Sequence, residues 1–167
     1  MPIEQQPPNR TALYRNGTLV VGGTQHAVAS LGREEVAEGF SRVFHVEAFS
    51  ILGDLGEVLD AARAAIAPNK WTPPQRVERD GEIMDFPWKG NGTLLIMKPD
   101  GSIEHHHFDE ANPDQENLAI VYGKGSYICW RAGDKGLELI EMCVPPFKPG
   151  DLTDLLDIEA PDVPQGF

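Results

Sequence analysis

The sequence predicts a mainly β protein, a small barrel or jelly roll, on three observations. Gly and Pro are dense, 17 and 14 of 167 residues, which cuts helices short and favours strands joined by turns. From residue 90 onward, strand-like segments follow one another closely and are separated by glycine turns. Hydrophobic residues make up 41% of the chain, enough for one core, and no internal repeat breaks the pattern.

Each element follows from local residues. Residues 1–14 are polar and Pro-rich and are expected to form an extended arm lying over another surface. "TLVVGG" reads as a short strand. Over 33–44, Val36, Phe40, Val43 and Phe44 recur at helical spacing. Glu34, Glu35 and Glu38 stand early in that stretch, where the helix dipole favours acids, so a short helix is expected there. "EVLDAARAAIAP", 57–68, stays open. Its alanines favour a helix that Pro68 would stop, yet in a sheet the same residues make a strand leading into "NKWTPP".

Beyond Gly90 the pattern is clearer. "TLLIMK" and "IEHHHF" are strands separated by the turn "PDGS", and "LAIVY" is a third, closed by "GKG". "SYICWR" and "LELIEMC" flank "AGDKG", which reads as a hairpin loop. The prolines of "VPPFKPG" cannot donate to a ladder and end the sheet. The tail, 152–167, is acidic, and Leu152, Leu155 and Leu156 suggest a short docked helix.

A net charge of −12, from 26 acids against 14 bases, repels phosphate backbones and anionic lipid, so neither nucleic acid nor a membrane is an expected partner. The first ten residues lack a basic n-region and an apolar h-region, and a cytoplasmic location is expected. Cys129 and Cys143 show no zinc-type spacing and are expected to be buried structural thiols. "GKG" lacks the length and the Ser/Thr of a phosphate loop, and no nucleophile elbow is present. Trp71, Trp88 and Trp130 suit core or interface anchoring, with stacking on an aromatic ligand as the alternative.

The three consecutive histidines are the most conspicuous chemistry. On a strand, His105 and His107 share one face and His106 takes the other. His105 and His107 could pair on a metal with Glu78, Glu82 or Glu110 as third ligand. Polar wall or interface residues are the preferred reading, because a local pair without identified distant partners is weak evidence for a metal site.

Several pieces resemble the cupin superfamily of jelly-roll barrels, over 57–151. "APNKWTPPQRVERDGEI" resembles the first cupin motif, and "AIVYGKGSYICWRAGDKGLELIEMCVPPF" the second. The resemblance implies a cupin-type barrel with one or two short helices and extended termini, as a single domain over 1–167. It places the first-motif histidines at Gln75 and Val77, the motif glutamate at Glu82 and the second-motif histidine at Ile128. Asn69 stands for the turn glycine, and Gly123 for a proline. Of these, Glu82 alone keeps a strong metal-ligand type, and a metal site usually needs about three protein ligands. No metal is therefore expected at the usual place.

Eroded motifs, small size and acidic balance are similar to the small subunit of two-component hydroquinone 1,2-dioxygenases. That resemblance implies a heterotetramer with a larger cupin subunit holding non-haem Fe(II), and no cofactor in this chain. It implies a ring-cleaving reaction on a small aromatic substrate, with no catalytic residue here. Trp71, Gln75, Val77, Glu82, His105, His107, Ile128 and Trp130 are expected to face a pocket or the partner. Two alternatives stand beside it. One is a free-standing metal cupin using His105, His107 and Glu82 as an oxygenase, isomerase or cyclase. The other is a metal-free module binding a small ligand.

Overall fold

A computed structural model describes residues 12–15, 17–21, 23–35, 44–72, 74–112, 118–148 and 150–154. Eleven strands follow in order: β1 Ala12–Arg15, β2 Thr18–Val21, β3 Thr24–Glu35, β4 Phe44–Ile51, β5 Asp60–Ile66, β6 Gln75–Val77, β7 Glu82–Met97, β8 Ile103–Asp109, β9 Ile120–Tyr122, β10 Tyr127–Val144 and β11 Leu152–Asp154. Every pairing among them is antiparallel. The order is β1-β2-β3-β4-β5-β10-β6-β11, and β7 pairs with β10, β8 and β9. No helix among the described residues is long and apolar enough to cross a membrane.

β7 and β10 form the spine, paired from Tyr127↔Met97 to Val144↔Glu82. On its free edge β10 takes β6 along one half and β5 along the other. The "PDGS" turn joins β7 to β8 as expected, through Gly101 N–H to Lys98 C=O at 2.8 Å and Ser102 N–H to Asp100 Oδ1 at 2.8 Å.

Two bulges set which side chains face inward. Between Ala132 and Leu137, four residues of β10 bulge out against the single Asn91 of β7. Gly90 and Gly136 both have positive φ, 82° and 73°, and a Cβ on Gly90 would lie 2.0 Å from the Gly136 carbonyl oxygen. The Asn91 side chain holds the bulge, accepting from Lys135 N–H at 3.1 Å and donating to Asp134 Oδ1 at 2.7 Å. "AGDKG" is therefore not the hairpin loop its composition suggests. The chain keeps its direction because Gly90 lets the two backbones stay close.

A second shift, between Glu138 and Leu139, leaves Trp88 without an opposite residue. The inward positions of β7 pass from odd (Ile83, Asp85) to even (Leu94, Ile96), and those of β10 from even (Ile128, Trp130) to odd (Leu139, Glu141, Cys143). The inner core joins Ile66, Val77, Ile83, Leu94, Ile96, Phe108, Ile120, Tyr122, Ile128, Trp130, Leu137, Leu139 and Cys143. Each large aliphatic side chain fully buried there contributes roughly 1.5–3 kcal/mol. A smaller core lies on the outer face, where Ala12 and Leu19 of the β1–β2 hairpin cover Ala61, Phe86, Ile140 and Met142.

Three further expectations change. The helix expected over 33–44 is strand at both ends, in β3 to Glu35 and in β4 from Phe44, and 36–43 lie outside the described residues. Pairing of Glu35 with His45 overrides the helical spacing. The open segment 57–68 is β5, fixed between β4 and β10. The one helical turn among the described residues is the 3-10 turn Asp54–Glu57. In the tail, Leu152–Asp154 is strand, paired with β6, rather than the start of a helix; 155–167 lie outside the described residues, as do 1–11 of the expected arm.

Candidate functional site

β6 sets Gln75 opposite Ile128, and the short stretch carries Val77 into the barrel. Val77 and Ile128 are both in the inner core, and Gln75 beside them is half-buried. Asn69, at the place of the turn glycine, adopts a left-handed φ of 59°, which Asn tolerates. Glu82 opens β7 opposite Val144 and is exposed, so it does not share the interior with Val77 and Ile128. These four residues do not fit a cupin metal: two have no lone pair, one is an amide, and the carboxylate points to solvent.

The interior instead holds a polar cluster that sequence reasoning missed. Asp85 on β7 and Glu141 on β10 are directly opposite each other across the ladder. Asp85 is 0% exposed. Its Oδ2 accepts from Tyr122 Oη at 2.9 Å and from Trp130 Nε1 at 2.8 Å. Among the described residues Oδ1 has no donor apart from the facing Glu141 carboxyl, which can bond to Asp85 when one of the two carries a proton. Burial pushes both acids up, Asp85 to about 6 against the Trp130 and Tyr122 donors, and Glu141 well above the usual range with Asp85 adding to the rise. Burial and the Asp85 charge likewise raise the Tyr122 phenol.

Around this pair lie Cys143 and Asp60, opposite each other on β10 and β5. Burial first, then Glu141, raises the Cys143 thiol, and burial raises Asp60 despite the Phe147 N–H at 2.8 Å. The Arg79 guanidinium, 3% exposed, donates to the Pro145 carbonyl and stands 3.8 Å from Asp151. A signal was present in the sequence: "IMDFP" and "LIEMC" each set a lone acid within an apolar run.

The expected site residues divide between two faces. Trp130 points inward to Asp85, with Val77 and Ile128. Trp71, His105 and His107 are exposed on the outer face. There the ladder aligns Trp71, Arg131, Thr93 and His107 in one row across four segments. Arg131 lies over the Trp71 ring at 4.1 Å, and Thr93 Oγ1 is 2.8 Å from His107 Nδ1. The His105 and His107 rings are 6.4 Å apart. Glu82 cannot join them, since it starts β7 whereas their partners Leu95 and Thr93 are near its other end. Glu78 is engaged by Arg76, and among the described residues no group of three or more His, Cys, Asp or Glu is placed to hold a metal ion. His106 faces inward and is 2.9 Å from Glu104, which also binds Lys98 at 2.5 Å.

No family model matches the sequence, and no curated protein matches it. Solved structures do share the fold. A variant of oxalate decarboxylase from Bacillus subtilis superposes with a TM-score of 0.56 at 11% identity, over 68% of this chain and 28% of that one. A 7S globulin from Momordica charantia gives 0.53 at 16% identity, over 76% and 34%. A protein from Shewanella oneidensis gives 0.50 at 14% identity, over 78% and 73%. The chain thus spans about a third or less of the first two proteins. The shared architecture is the cupin fold, and at these identities the likeness extends to fold alone.

Proposed function

We propose that this cupin-fold chain is a metal-free subunit, supporting a larger iron-bearing cupin in a ring-cleaving dioxygenase for hydroquinone-type aromatics. The observation that carries the reading is the apolar setting of Val77 and Ile128, at the places where cupin motifs put histidines. Side chains without lone pairs pack the barrel at those places and leave chemistry to a companion. The outer row of Trp71, Arg131, Thr93 and His107 supports the same reading by offering an aromatic and a cationic anchor. The resemblance of the eroded motifs to the small dioxygenase subunits supplies the reaction class. In this reading Fe(II), diol and dioxygen bind in the partner. This chain stabilises that partner and shapes access to its pocket.

The test uses the full chain alone and together with the larger subunit, assaying bound iron and oxygen uptake with hydroquinone. The chain alone is expected to hold no stoichiometric iron and to consume no oxygen, and to raise the rate of the iron-bearing subunit when added. Ring cleavage by this chain alone with Fe(II) overturns the reading. Stoichiometric metal that disappears on replacing His105 and His107 by alanine would support a relocated metal site instead.

A further inference from the structure

We propose that Asp85, fully buried, and the half-buried Glu141 opposite it form a proton-binding site, holding one shared proton at neutral pH and tying the stability of the barrel to pH. The geometry demands the proton. Directly opposed residues of an antiparallel pair have Cβ atoms about 4.5–5.5 Å apart, and here a fully buried Asp85 meets a half-buried Glu141 beside the apolar core residues Ile83, Leu139 and Cys143. Two adjacent anions in such surroundings are unstable, so one carboxyl stays neutral.

Among the described residues no cation bonds to either carboxyl. From β9 the pair is faced by the Tyr122 phenol, from β10 by Cys143 and the Trp130 indole, and from β5 by Asp60. Arg79, ahead of β7, is the cation near the pair, but its guanidinium binds the Pro145 carbonyl and leans on Asp151. Its charge acts on Asp60 as well as on Glu141, and burial outweighs it at both.

The donors decide where the proton sits. Tyr122 and Trp130 both donate to Asp85 Oδ2, which makes Asp85 the anionic member. Glu141 carries the hydrogen and gives it to Asp85, whose Oδ1 otherwise has no donor. The upward shifts of both acids agree with this order. The sign follows from the raised values. The folded chain holds more protons than the unfolded one above the ordinary carboxylate range, so this contribution to stability is full in acid and is lost as pH rises.

The experiment compares the full chain with Glu141→Gln, an isosteric amide that can still donate to Asp85. Urea unfolding is followed between about pH 6 and about pH 8, where one extra proton in the folded state lowers the folding constant tenfold per pH unit. The wild type is expected to lose that factor and the variant to be flatter by the same factor. Equal slopes overturn the proposal. Infrared spectroscopy of the wild type gives a readout that does not depend on the variant's folding. A protonated carboxyl band at neutral pH is expected, and its absence overturns the proposal equally.

Discussion

The Tyr122 hydroxyl reaches Asp85 at 2.9 Å, joining the three-residue strand β9 to the spine of the barrel through a fully buried carboxylate. Replacing Tyr122 with Phe keeps the ring in the core and removes one donor to an ionised acceptor. Such bonds contribute about 1.5–3 kcal/mol. The cost is expected in full where Asp85 is ionised, above its value of about 6, and to shrink below it as Asp85 takes a proton. Urea titrations of Tyr122→Phe on both sides of that value check this. A cost that grows toward acid would contradict the assignment of Asp85 as the anion.

Trp71 is 51% exposed and stacks on Arg131, so truncating it removes little burial on folding. Trp71→Ala is expected to change stability by less than about 1 kcal/mol, the scale of an exposed cation–π contact. Under the proposed subunit role, binding to the larger cupin is expected to weaken by about 2 kcal/mol or more, the loss typical of a buried aromatic anchor at an interface. Calorimetric titration of the two subunits measures the second quantity, and chemical denaturation the first. Equal affinity for wild type and variant would remove Trp71 from the docking surface.

The strands after Gly90 were legible because β8 alternates cleanly and the "PDGS" turn is strong local chemistry. The phase of β7 and β10 was not. Bulges at Trp88 and at 133–136 invert which residues point inward, and no local period reveals an inversion made by the opposite strand. For the same reason "AGDKG" read as a hairpin, since its glycines suit a reversal and a bulge equally well. The apolar character of Val77 and Ile128 was readable, and their core positions agree with it. Glu82 takes an exposed position at the start of β7, and a motif fixes residue type but not the face a strand presents. Each acid stands out as a lone charge in an apolar run, but the pairing was hidden by distance, with 55 residues between two acids that only the β7–β10 register brings together.

Gly90 tests the bulge directly. Alanine there must adopt a positive φ, costing roughly 1–2 kcal/mol for an L residue, and its Cβ must displace the Gly136 carbonyl, 2.0 Å away. Gly90→Ala is expected to lose at least about 2 kcal/mol of stability, because backbone rather than a flexible side chain has to move. Gly101→Ala is the control. It shares the positive φ, but no atom lies within 4 Å of its added Cβ, so its loss should stay near the conformational term alone. Urea midpoints of the two variants, measured side by side, separate strain from collision.

The thiols give a probe of opening that needs no partner. Cys129 and Cys143 are 2% and 3% exposed, one against the outer face and one in the inner core. Burial raises both, and Glu141 raises Cys143 further, so the thiolate that a labelling reagent requires is scarce as well as hidden. Labelling of Cys143 is therefore expected to wait for the β5–β10 ladder to separate. Its rate in the native protein should be about 10³-fold or more below that of the urea-unfolded chain, as for a group exposed through global unfolding. It should also rise with denaturant along the same slope as the equilibrium transition. Mass spectrometry of single-cysteine variants resolves the two sites. Rapid, denaturant-independent labelling of Cys143 would mean that the strand ends at Asp60 and Val144 open locally, and that the fully buried Asp85 carboxyl nearby is reached by water without unfolding.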